Sequence, residues 1–307
     1  MALQEDEHFS VSSTPTDRSK EVINGFDSVK RARRSLLLFF LILLIISLFS
    51  ESLTIISQDI FSILFLMWTP ALASLATRLI LREGFADISF RLKGTETIKA
   101  LGLAVLVPAA IGVLAYGVAW LAGLAHVGAF HPSDSLAAFI ALPGSTPFPV
   151  TLLLILLYLT VVEVMTSAGE EIGWRGYMLT RLIAAGAPRP VLLSGLIWSL
   201  WHWPLILFGP SIAGLPQIVS AGVFLLTITA LGTVSAYLRL ATGSIWPAIL
   251  LHAAWNSLLV ELLDSFTQGS SLWTGESGVL VALATILVAL AVSNFYWQRK
   301  KPTALVA

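Results

Sequence analysis

Eight apolar stretches, each long enough to cross a bilayer, constrain the fold of this 307-residue chain more than any other feature. A transmembrane helix needs about 20 apolar residues. We identify such stretches at 35–57, 60–81, 98–123, 149–180, 191–208, 217–238, 245–262 and 278–297. Hydrophobic residues make up 56% of the chain and charged residues 12%, compared with roughly 25% charged residues in typical soluble domains. We therefore predict an all-α polytopic membrane protein with eight transmembrane helices.

The distribution of charge supports this count and predicts the orientation of the helices. If eight helices cross the membrane, every basic residue beside a predicted span lies at the same face. These residues are Lys30, Arg31, Arg33, Arg34, Arg78, Arg82, Arg91, Lys93, Lys99, Arg181, Arg189, Arg239, Arg299, Lys300 and Lys301. The connections at the other face carry acids, namely Glu51, Asp59, Asp134, Glu261, Asp264 and Glu276. Because cytoplasmic connections are rich in lysine and arginine, we expect both termini in the cytoplasm.

The predicted spans divide the chain into five segments. Residues 1–34 are polar and mixed in charge, so we expect a cytoplasmic, largely disordered tail. Residues 35–123 form the N-terminal transmembrane helices, and residues 124–148, rich in glycine, proline and serine, form an external loop. Residues 149–262 form a core that contains the polar motifs described next. Residues 263–307 form the last transmembrane helix and a cytoplasmic end.

Two adjacent glutamates lie in the fourth predicted helix, in the motif Glu170-Glu171-x3-Arg175. Ionisable side chains are costly to place at membrane depth, so they mark functional sites. Glu163, one heptad before Glu170, either lines the same cavity or is buried beside serine or threonine partners. The chain has no cysteine, which excludes disulfides, a cysteine nucleophile and a thiolate-bound metal. The glutamate pair is the strongest indication of a functional site.

Two of the five histidines lie within predicted membrane helices. Trp198 and His202 are four residues apart, as are His252 and Asn256, so each pair shares one helix face. At about 1.5 Å per residue from the basic ends, Glu170 and both histidines lie about 10–20 Å from the cytoplasmic boundary. Their side chains can therefore meet in one cavity.

Such a group of side chains suits the hydrolysis of a peptide bond. Glu170 can remove a proton from water, and a neutral His202 beside it can orient that water or share its proton. His252 and Asn256 can donate hydrogen bonds to the oxyanion that forms when water attacks an amide carbonyl. Arg175 lies nearer the cytoplasm, from where its long side chain can reach back to the carboxylates.

These motifs resemble the three signatures of the CAAX prenyl protease type II and bacteriocin-processing family of intramembrane proteases. The signatures are Glu-Glu-x3-Arg, an aromatic residue with x3-His, and His-x3-Asn or His-x3-Asp. They correspond here to Glu170-Glu171-x3-Arg175, Trp198-x3-His202 and His252-x3-Asn256, in the family's order, within roughly 148–260. The resemblance implies an eight-helix membrane endopeptidase whose catalytic cavity opens toward the cytoplasm.

The resemblance also implies a role for each residue of the motifs. Glu170 corresponds to the water-activating glutamate, His202 to its partner, and His252 with Asn256 to the oxyanion hole, while Glu171, Arg175 and Trp198 are supporting residues. Trp198 stands where eukaryotic members commonly have phenylalanine, a difference that concerns the shape of the substrate. The implied partners are a peptide or lipidated protein substrate and the lipid bilayer. Nothing in the sequence indicates a nucleic-acid partner or an oligomeric state.

Structural alternatives exist for several of these residues. Arg175 can form an ion pair with only a structural role, and Asn256 can satisfy a backbone carbonyl of a neighbouring helix. Glu170, His202 and His252 are also ligand types that zinc accepts. However, the His-Glu-x2-His helix of the common zinc proteases is missing. We therefore favour a glutamate mechanism without a cofactor and keep zinc as the alternative.

A second class of function uses the same buried residues without proteolysis. A membrane scaffold, an immunity factor or a proton-coupled transporter can also contain an intramembrane cluster of glutamate and histidine. Transport is favoured by an inverted repeat of broken helices, and we find no convincing one in the sequence. Short loops and the tryptophan-rich motif around His202 favour a bacterial plasma membrane. The identity of the substrate is not predicted by the sequence.

Overall fold

Eight helices that are long and apolar enough to cross a membrane make up most of the protein. The computed structural model describes residues 15–57, 59–92, 94–140, 147–209, 215–269 and 272–300. Within these ranges the candidate spans are Asp27–Ser57, Phe61–Leu81, Thr95–Leu121, Pro149–Ala184, Pro190–Phe208, Gln217–Thr242, Trp246–Phe266 and Val279–Tyr296. Each of them overlaps one predicted stretch. The predicted all-α polytopic membrane fold with eight transmembrane helices is confirmed.

Three long helices form the first three spans, and a short helix lies in the connection that follows them. Helix α1 spans Pro15–Ser57, α2 Ile60–Leu81, α3 Thr95–Leu121 and α4 Asp134–Phe139. The connection after α3 also contains strand β1 (Ala125–Val127), which pairs antiparallel with β2 (Thr267–Gly269) after the seventh span. This pairing lies at the end of the bundle opposite the basic connections.

The fourth, fifth and seventh spans are interrupted helices. The fourth consists of α5 (Phe148–Leu157), α6 (Glu163–Gly173) and α7 (Leu179–Ala184), joined by π-helical segments at Tyr158–Val162 and Trp174–Met178. The fifth consists of α8 (Pro190–Trp201) and α9 (Trp203–Phe208), and α10 spans Gln217–Thr242. The seventh consists of α11 (Trp246–Trp255), a π-helical segment (Asn256–Leu263) and a 3-10 turn (Asp264–Phe266), and α12 spans Val279–Lys300.

Small residues allow the central helices to approach their neighbours closely. A Cβ atom at Gly173 of α6 would lie 2.3 Å from the Cβ atom of Pro70 in α2. A Cβ atom at Gly195 of α8 would lie 2.6 Å from the carbonyl oxygen of Thr229 in α10. Membrane helices associate largely through such close packing of small residues. These contacts fix α6 against α2, and α8 against α10.

Aromatic side chains fill the centre of the bundle. Trp174, Trp198 and Trp255 are each no more than 2% exposed. The ring of Phe39 in α1 lies 6.3 Å from that of Trp174 and 5.2 Å from that of Tyr177. Burial of large aromatic rings supplies extensive dispersion contacts. The first span is thereby packed against the segment that carries the glutamate motif.

The prediction of a disordered tail is wrong for residues 15–34, because α1 begins at Pro15. Proline is well tolerated at the first position of a helix, where its missing N–H has no helical partner. The lysine, arginine and glutamate residues that follow are good helix formers. Extension of an existing membrane helix also requires no new nucleation. Residues 1–14 lie outside the described residues, so the prediction for them stays untested.

A network of ion pairs ties the basic end of the bundle together. Arg78 lies 2.7 Å from Asp87, while Arg181 lies 2.8 Å from Asp87 and 2.9 Å from Glu83. We call these four residues the basic-end network. Burial raises the pKa of both carboxyl groups, but hydrogen bonds and guanidinium charges outweigh burial and hold each pKa below its usual value. Each acid here has an arginine partner.

Candidate active site

The glutamate motif lies on a short helix between two π-helical segments. Glu170 and Glu171 belong to α6, which follows Tyr158–Val162 and precedes Trp174–Met178. A third π-helical segment begins at Asn256. Single π-helical turns within α-helices are frequent at functional sites, because each extra residue rotates the side chains that follow. Sequence periodicity does not reveal these segments.

Glu170 is buried and accepts hydrogen bonds from two indole groups. It is 1% exposed. Its Oε2 atom accepts a hydrogen bond of 2.6 Å from Trp198 Nε1 and one of 3.2 Å from Trp174 Nε1. No arginine or lysine among the described residues forms an ion pair with it. Trp198 is among the predicted supporting residues. Trp174 is not, although it is one helical turn from Glu170.

The structure brings His202 and His252 to the same carboxylate. His202 Nε2 lies 4.0 Å from Glu170 Oε2, and His252 Nε2 lies 3.9 Å from Glu170 Oε1. These separations exceed that of a direct hydrogen bond and fit a bridging water molecule. The predicted convergence of these three side chains is present, whereas their catalytic roles stay predictions.

Hydrogen bonds at the other ring nitrogen orient both imidazoles. His202 Nδ1 lies 3.0 Å from the carbonyl oxygen of Trp198, and His252 Nδ1 lies 3.2 Å from Glu171 Oε1. Both partners are pure acceptors, so each Nδ1 carries the hydrogen. We infer from this that Nε2 is the ring nitrogen that gains or loses a proton on the side that faces Glu170. Both histidines are therefore oriented to exchange a proton with a group beside Glu170.

Glu171 differs from its neighbour because an arginine neutralises it. Arg175 Nη1 lies 2.7 Å from Glu171 Oε1, and both side chains are fully buried. Ser235 donates a hydrogen bond of 3.0 Å to Glu171 Oε2. The guanidinium of Arg175 also lies 4.3 Å above the ring of Trp198. The pair contacts both His252 and Trp198, and the supporting role predicted for Glu171 and Arg175 stays a prediction.

Asn256 contacts a different glutamate from the one that the histidines face. Its Nδ2 atom donates a hydrogen bond of 3.0 Å to Glu163 Oε2. Glu163 is 5% exposed and also accepts a hydrogen bond of 3.5 Å from Thr166 Oγ1. Sequence reasoning had considered a threonine partner for Glu163 but had missed the contact with Asn256. Since one amide hydrogen of Asn256 is used by Glu163, the second remains available to another acceptor.

A cavity of ≈ 490 Å³ reaches the site from the end of the bundle that carries the β-strands. His202 of the fifth span and Phe224 of α10 line it, together with Asp264 near the end of the seventh span and with Glu276 and Ser277 just before the eighth. Glu276 Oε1 accepts a hydrogen bond of 2.7 Å from an indole N–H, that of Trp255. Burial raises the pKa of Glu276. Sequence analysis had assigned Glu276 only to a connection between helices.

The described residues contain no group of three or more histidine, aspartate or glutamate side chains arranged to hold a metal ion. Glu170, His202 and His252 are the nearest approach to such a group, since they are ligand types that zinc accepts. Glu170 Oε2, however, already accepts two indole hydrogen bonds. This oxygen fits a hydrogen-bonded carboxylate better than a metal ligand.

The fold and the site together define an integral membrane protein with a buried glutamate facing two histidines. Residues 149–258 match the family described as type II CAAX prenyl endopeptidase Rce1-like. The chain is also 33% identical over 157 residues to CAAX prenyl protease 2 of Methanococcus maripaludis, across 50% of this chain and 54% of that protein. The chain thus spans about half the length of the curated relative that it matches.

The matched segment contains every residue of the three motifs, from Glu170 to Asn256. Both matches agree with the resemblance of the motifs to the CAAX prenyl protease type II and bacteriocin-processing family.

Proposed function

We propose that this protein is an intramembrane endopeptidase that hydrolyses a peptide bond in a lipidated or hydrophobic peptide or protein. The observation that carries the proposal is the position of Glu170, which is buried, has no arginine partner among the described residues, and faces the Nε2 atoms of His202 and His252. The name of the archaeal relative, CAAX prenyl protease 2, supports a prenylated substrate. The match of residues 149–258 supports the same activity.

In the proposed reaction Glu170 acts as the general base for a water molecule. Trp174 and Trp198 hold Oε2, which leaves Oε1 to accept the proton as the water oxygen attacks the peptide carbonyl carbon. His202 orients the water through Nε2. Collapse of the tetrahedral intermediate breaks the C–N bond, and Glu170 returns the proton to the leaving amine. The two indole groups thereby keep the base in one orientation throughout the reaction.

The oxyanion of the intermediate needs hydrogen-bond donors, and two residues are placed to supply them. The carboxylate of Glu171 at His252 Nδ1 stabilises the protonated imidazole, whose Nε2–H then becomes a donor. Asn256 offers the amide hydrogen that Glu163 does not use. In this assignment Glu171 and Glu163 are positioning residues, because each acts through the side chain that it holds.

We propose that the reaction requires no metal ion. The two hydrogen bonds at Glu170 Oε2 and the lack of a suitable ligand group among the described residues support this. If zinc were bound, Glu170, His202 and His252 would hold it, and it would polarise the carbonyl and the water. The metal requirement is tested by measuring peptide cleavage after exhaustive chelation, with the metal content of the protein determined in parallel. We expect full activity of the metal-free protein, and loss of activity that only zinc restores would contradict it.

The activity is tested with purified protein in detergent and a library of farnesylated and unmodified hydrophobic peptides. We expect mass spectrometry to detect defined cleavage products with the wild-type protein and none with Glu170→Gln. Glu51→Gln is the matched control, because Glu51 is also a buried glutamate, 4% exposed, but lies in the first span and outside the three motifs. Proton-coupled uptake by reconstituted protein without cleavage would instead support a transporter.

We propose a location in a bacterial plasma membrane with the basic ends in the cytoplasm. In this orientation the cavity beside His202 lies toward the outer face, whereas the family resemblance implies a cytoplasmic opening. Because the chain lacks cysteine, single cysteines at exposed Lys99 and Gln268 can be labelled with an impermeant maleimide in intact cells. We expect labelling of Gln268→Cys and protection of Lys99→Cys, and the reverse pattern would place the cavity on the cytoplasmic side.

A further inference from the structure

We infer that the cavity beside His202 binds the residues of the substrate chain next to the cleaved bond and selects a positively charged side chain there. This inference rests on the proposed endopeptidase function and adds a specificity to it. Its two selecting residues are Asp264 and Glu276, which lie outside the three motifs.

The position of the cavity links it to the proposed chemistry. The ring of His202 lines the cavity, and its Nε2 atom lies 4.0 Å from Glu170 Oε2. A ligand in the cavity therefore lies beside the reacting groups. The volume of ≈ 490 Å³ is within the range of sites that bind small ligands or short peptide segments. The cavity is thus suited to hold the substrate residues on one side of the cleaved bond.

The lining of the cavity combines apolar and acidic side chains. Leu205, Ile206, Phe224 and Val260 supply the apolar part. Asp264 and Glu276 line it too, together with threonine and serine side chains, and no lysine or arginine lines it among the described residues. A lysine or arginine side chain has an aliphatic stem and a charged end, which matches this arrangement. A substrate carboxylate would meet two carboxyl groups of its own sign.

The protein supplies only part of the hydrogen-bond and charge partners that Asp264 and Glu276 can accept. Asp264 Oδ1 accepts a hydrogen bond of 2.5 Å from the hydroxyl of Tyr116, and Glu276 Oε1 accepts one of 2.7 Å from Trp255 Nε1. Neither forms an ion pair with a cation among the described residues. In this respect they differ from Glu83, Asp87 and Glu171, each of which has an arginine partner. A cation supplied by the substrate would complete the interactions of the two acids in the cavity.

A buried hydroxyl without a partner is a second sign of a missing ligand. Ser277 is 4% exposed and lines the cavity, and its Oγ atom forms no hydrogen bond with any described residue. Buried polar atoms are nearly always hydrogen-bonded in native proteins. A peptide carbonyl, a peptide N–H or an ammonium group in the cavity would provide the missing partner.

The test uses a fluorogenic hydrophobic peptide that the wild-type protein cleaves, in which each residue flanking the cleaved bond is changed in turn to Lys, Gln or Glu. We expect kcat/KM to fall in the order Lys, Gln, Glu at one position, with about tenfold between Lys and Glu, carried mainly by KM. Glu276→Gln is expected to reduce the preference for Lys, and Glu276→Lys to reverse it. Glu51→Gln is expected to keep the wild-type order.

A second variant and a binding assay keep the inference separate from the proposed activity. If the Glu276 variants do not fold, Asp264→Asn is the alternative. It retains an acceptor for Tyr116 and is expected to weaken the preference for Lys. Binding of the same peptides to Glu170→Gln, measured by fluorescence polarisation, is expected to give the same order without cleavage. Cleavage without any charge preference would overturn this inference alone. Binding with a preference for Lys but no cleavage would overturn only the proposed activity.

Discussion

The carboxylates of the basic-end network and the carboxylate of Glu170 have opposite kinds of partner. At the basic end, Glu83 and Asp87 lie 2.7–2.9 Å from arginine side chains, so that charge is balanced within the protein. Glu170 is held at 2.6 and 3.2 Å by neutral indole donors and faces two histidines at 3.9 and 4.0 Å. In the proposed function the ion pairs of the first region serve stability, and Glu170 is the carboxylate that takes up a proton.

Glu170 and Glu171, which are adjacent in the sequence, also differ in whether an arginine pairs with the carboxylate. Glu171 has Arg175 within 2.7 Å, so it resembles the basic-end acids more than it resembles Glu170. Breaking a buried ion pair leaves an unpaired charge, which is costly, whereas a reactive carboxylate must exchange its proton during the reaction. We therefore interpret a carboxylate that is paired with arginine as structural. We interpret a carboxylate that is held by neutral donors beside histidines as reactive. The following predictions test that distinction.

The largest effect on stability is expected from Arg175→Met. It removes the partner of Glu171 but retains most of the volume of the side chain, so we expect a loss of about 3–5 kcal/mol in the free energy of unfolding. Denaturant unfolding in detergent measures it. Lys99→Met is the control, because the Lys99–Glu96 pair is 63% and 65% exposed and should contribute nothing measurable. Equal losses in the two variants would refute the structural role of Arg175.

The next largest effect is on activity and is expected from substitution of Glu163, the residue that we propose positions Asn256. Glu163→Leu removes the acceptor at 3.0 Å from Asn256 Nδ2, and we expect kcat to fall about tenfold to a hundredfold with little change in KM. Glu163→Gln keeps an acceptor oxygen and should restore most of kcat.

A double-mutant cycle distinguishes positioning from general support by Glu163. If Glu163 acts through Asn256, Glu163→Leu should have little further effect on kcat in a protein that already carries Asn256→Ala. Additive losses would show that Glu163 supports the fold rather than the orientation of Asn256.

Trp198→Phe is expected to lower kcat by about tenfold, because it removes the shortest hydrogen bond to Glu170 but keeps an aromatic ring. Phenylalanine at this position also occurs commonly in eukaryotic members of the family. Trp246→Phe is the control, since its indole N–H donates to the carbonyl of Phe90 at the basic end. An unchanged kcat for Trp198→Phe would show that this hydrogen bond does not orient the base.

The sequence predicts the fold well because long apolar stretches have few other stable arrangements in a bilayer. It also predicts that Glu170, His202 and His252 converge, since their depths can be counted from the basic ends. It does not predict the pairing of Glu163 with Asn256, because π-helical segments change the register on both helices. Glu276 was missed because the connection after the seventh span folds back beside His202, a tertiary contact without a local pattern.

The smallest expected effect concerns the basic-end network at low pH. The pKa values of Glu83 and Asp87 are lower in the folded protein than their usual values, so their contribution to stability is fully present above about pH 5. It is lost as the pH falls through the lowered pKa values of the folded protein. Thermal unfolding between pH 7 and 3 measures this loss. Asp87→Asn should reduce the pH dependence, and an unchanged profile would contradict the assignment.

The most direct test of Glu170 as the water-activating base is a single turnover of wild-type protein with a cleavable peptide in ¹⁸O-labelled water. We expect one ¹⁸O atom in the new carboxylate of the peptide product and none in Glu170, as measured by mass spectrometry of both. Label in the side chain of Glu170, or a covalent peptide adduct at this residue, would show that the carboxylate attacks the substrate itself and would contradict the account.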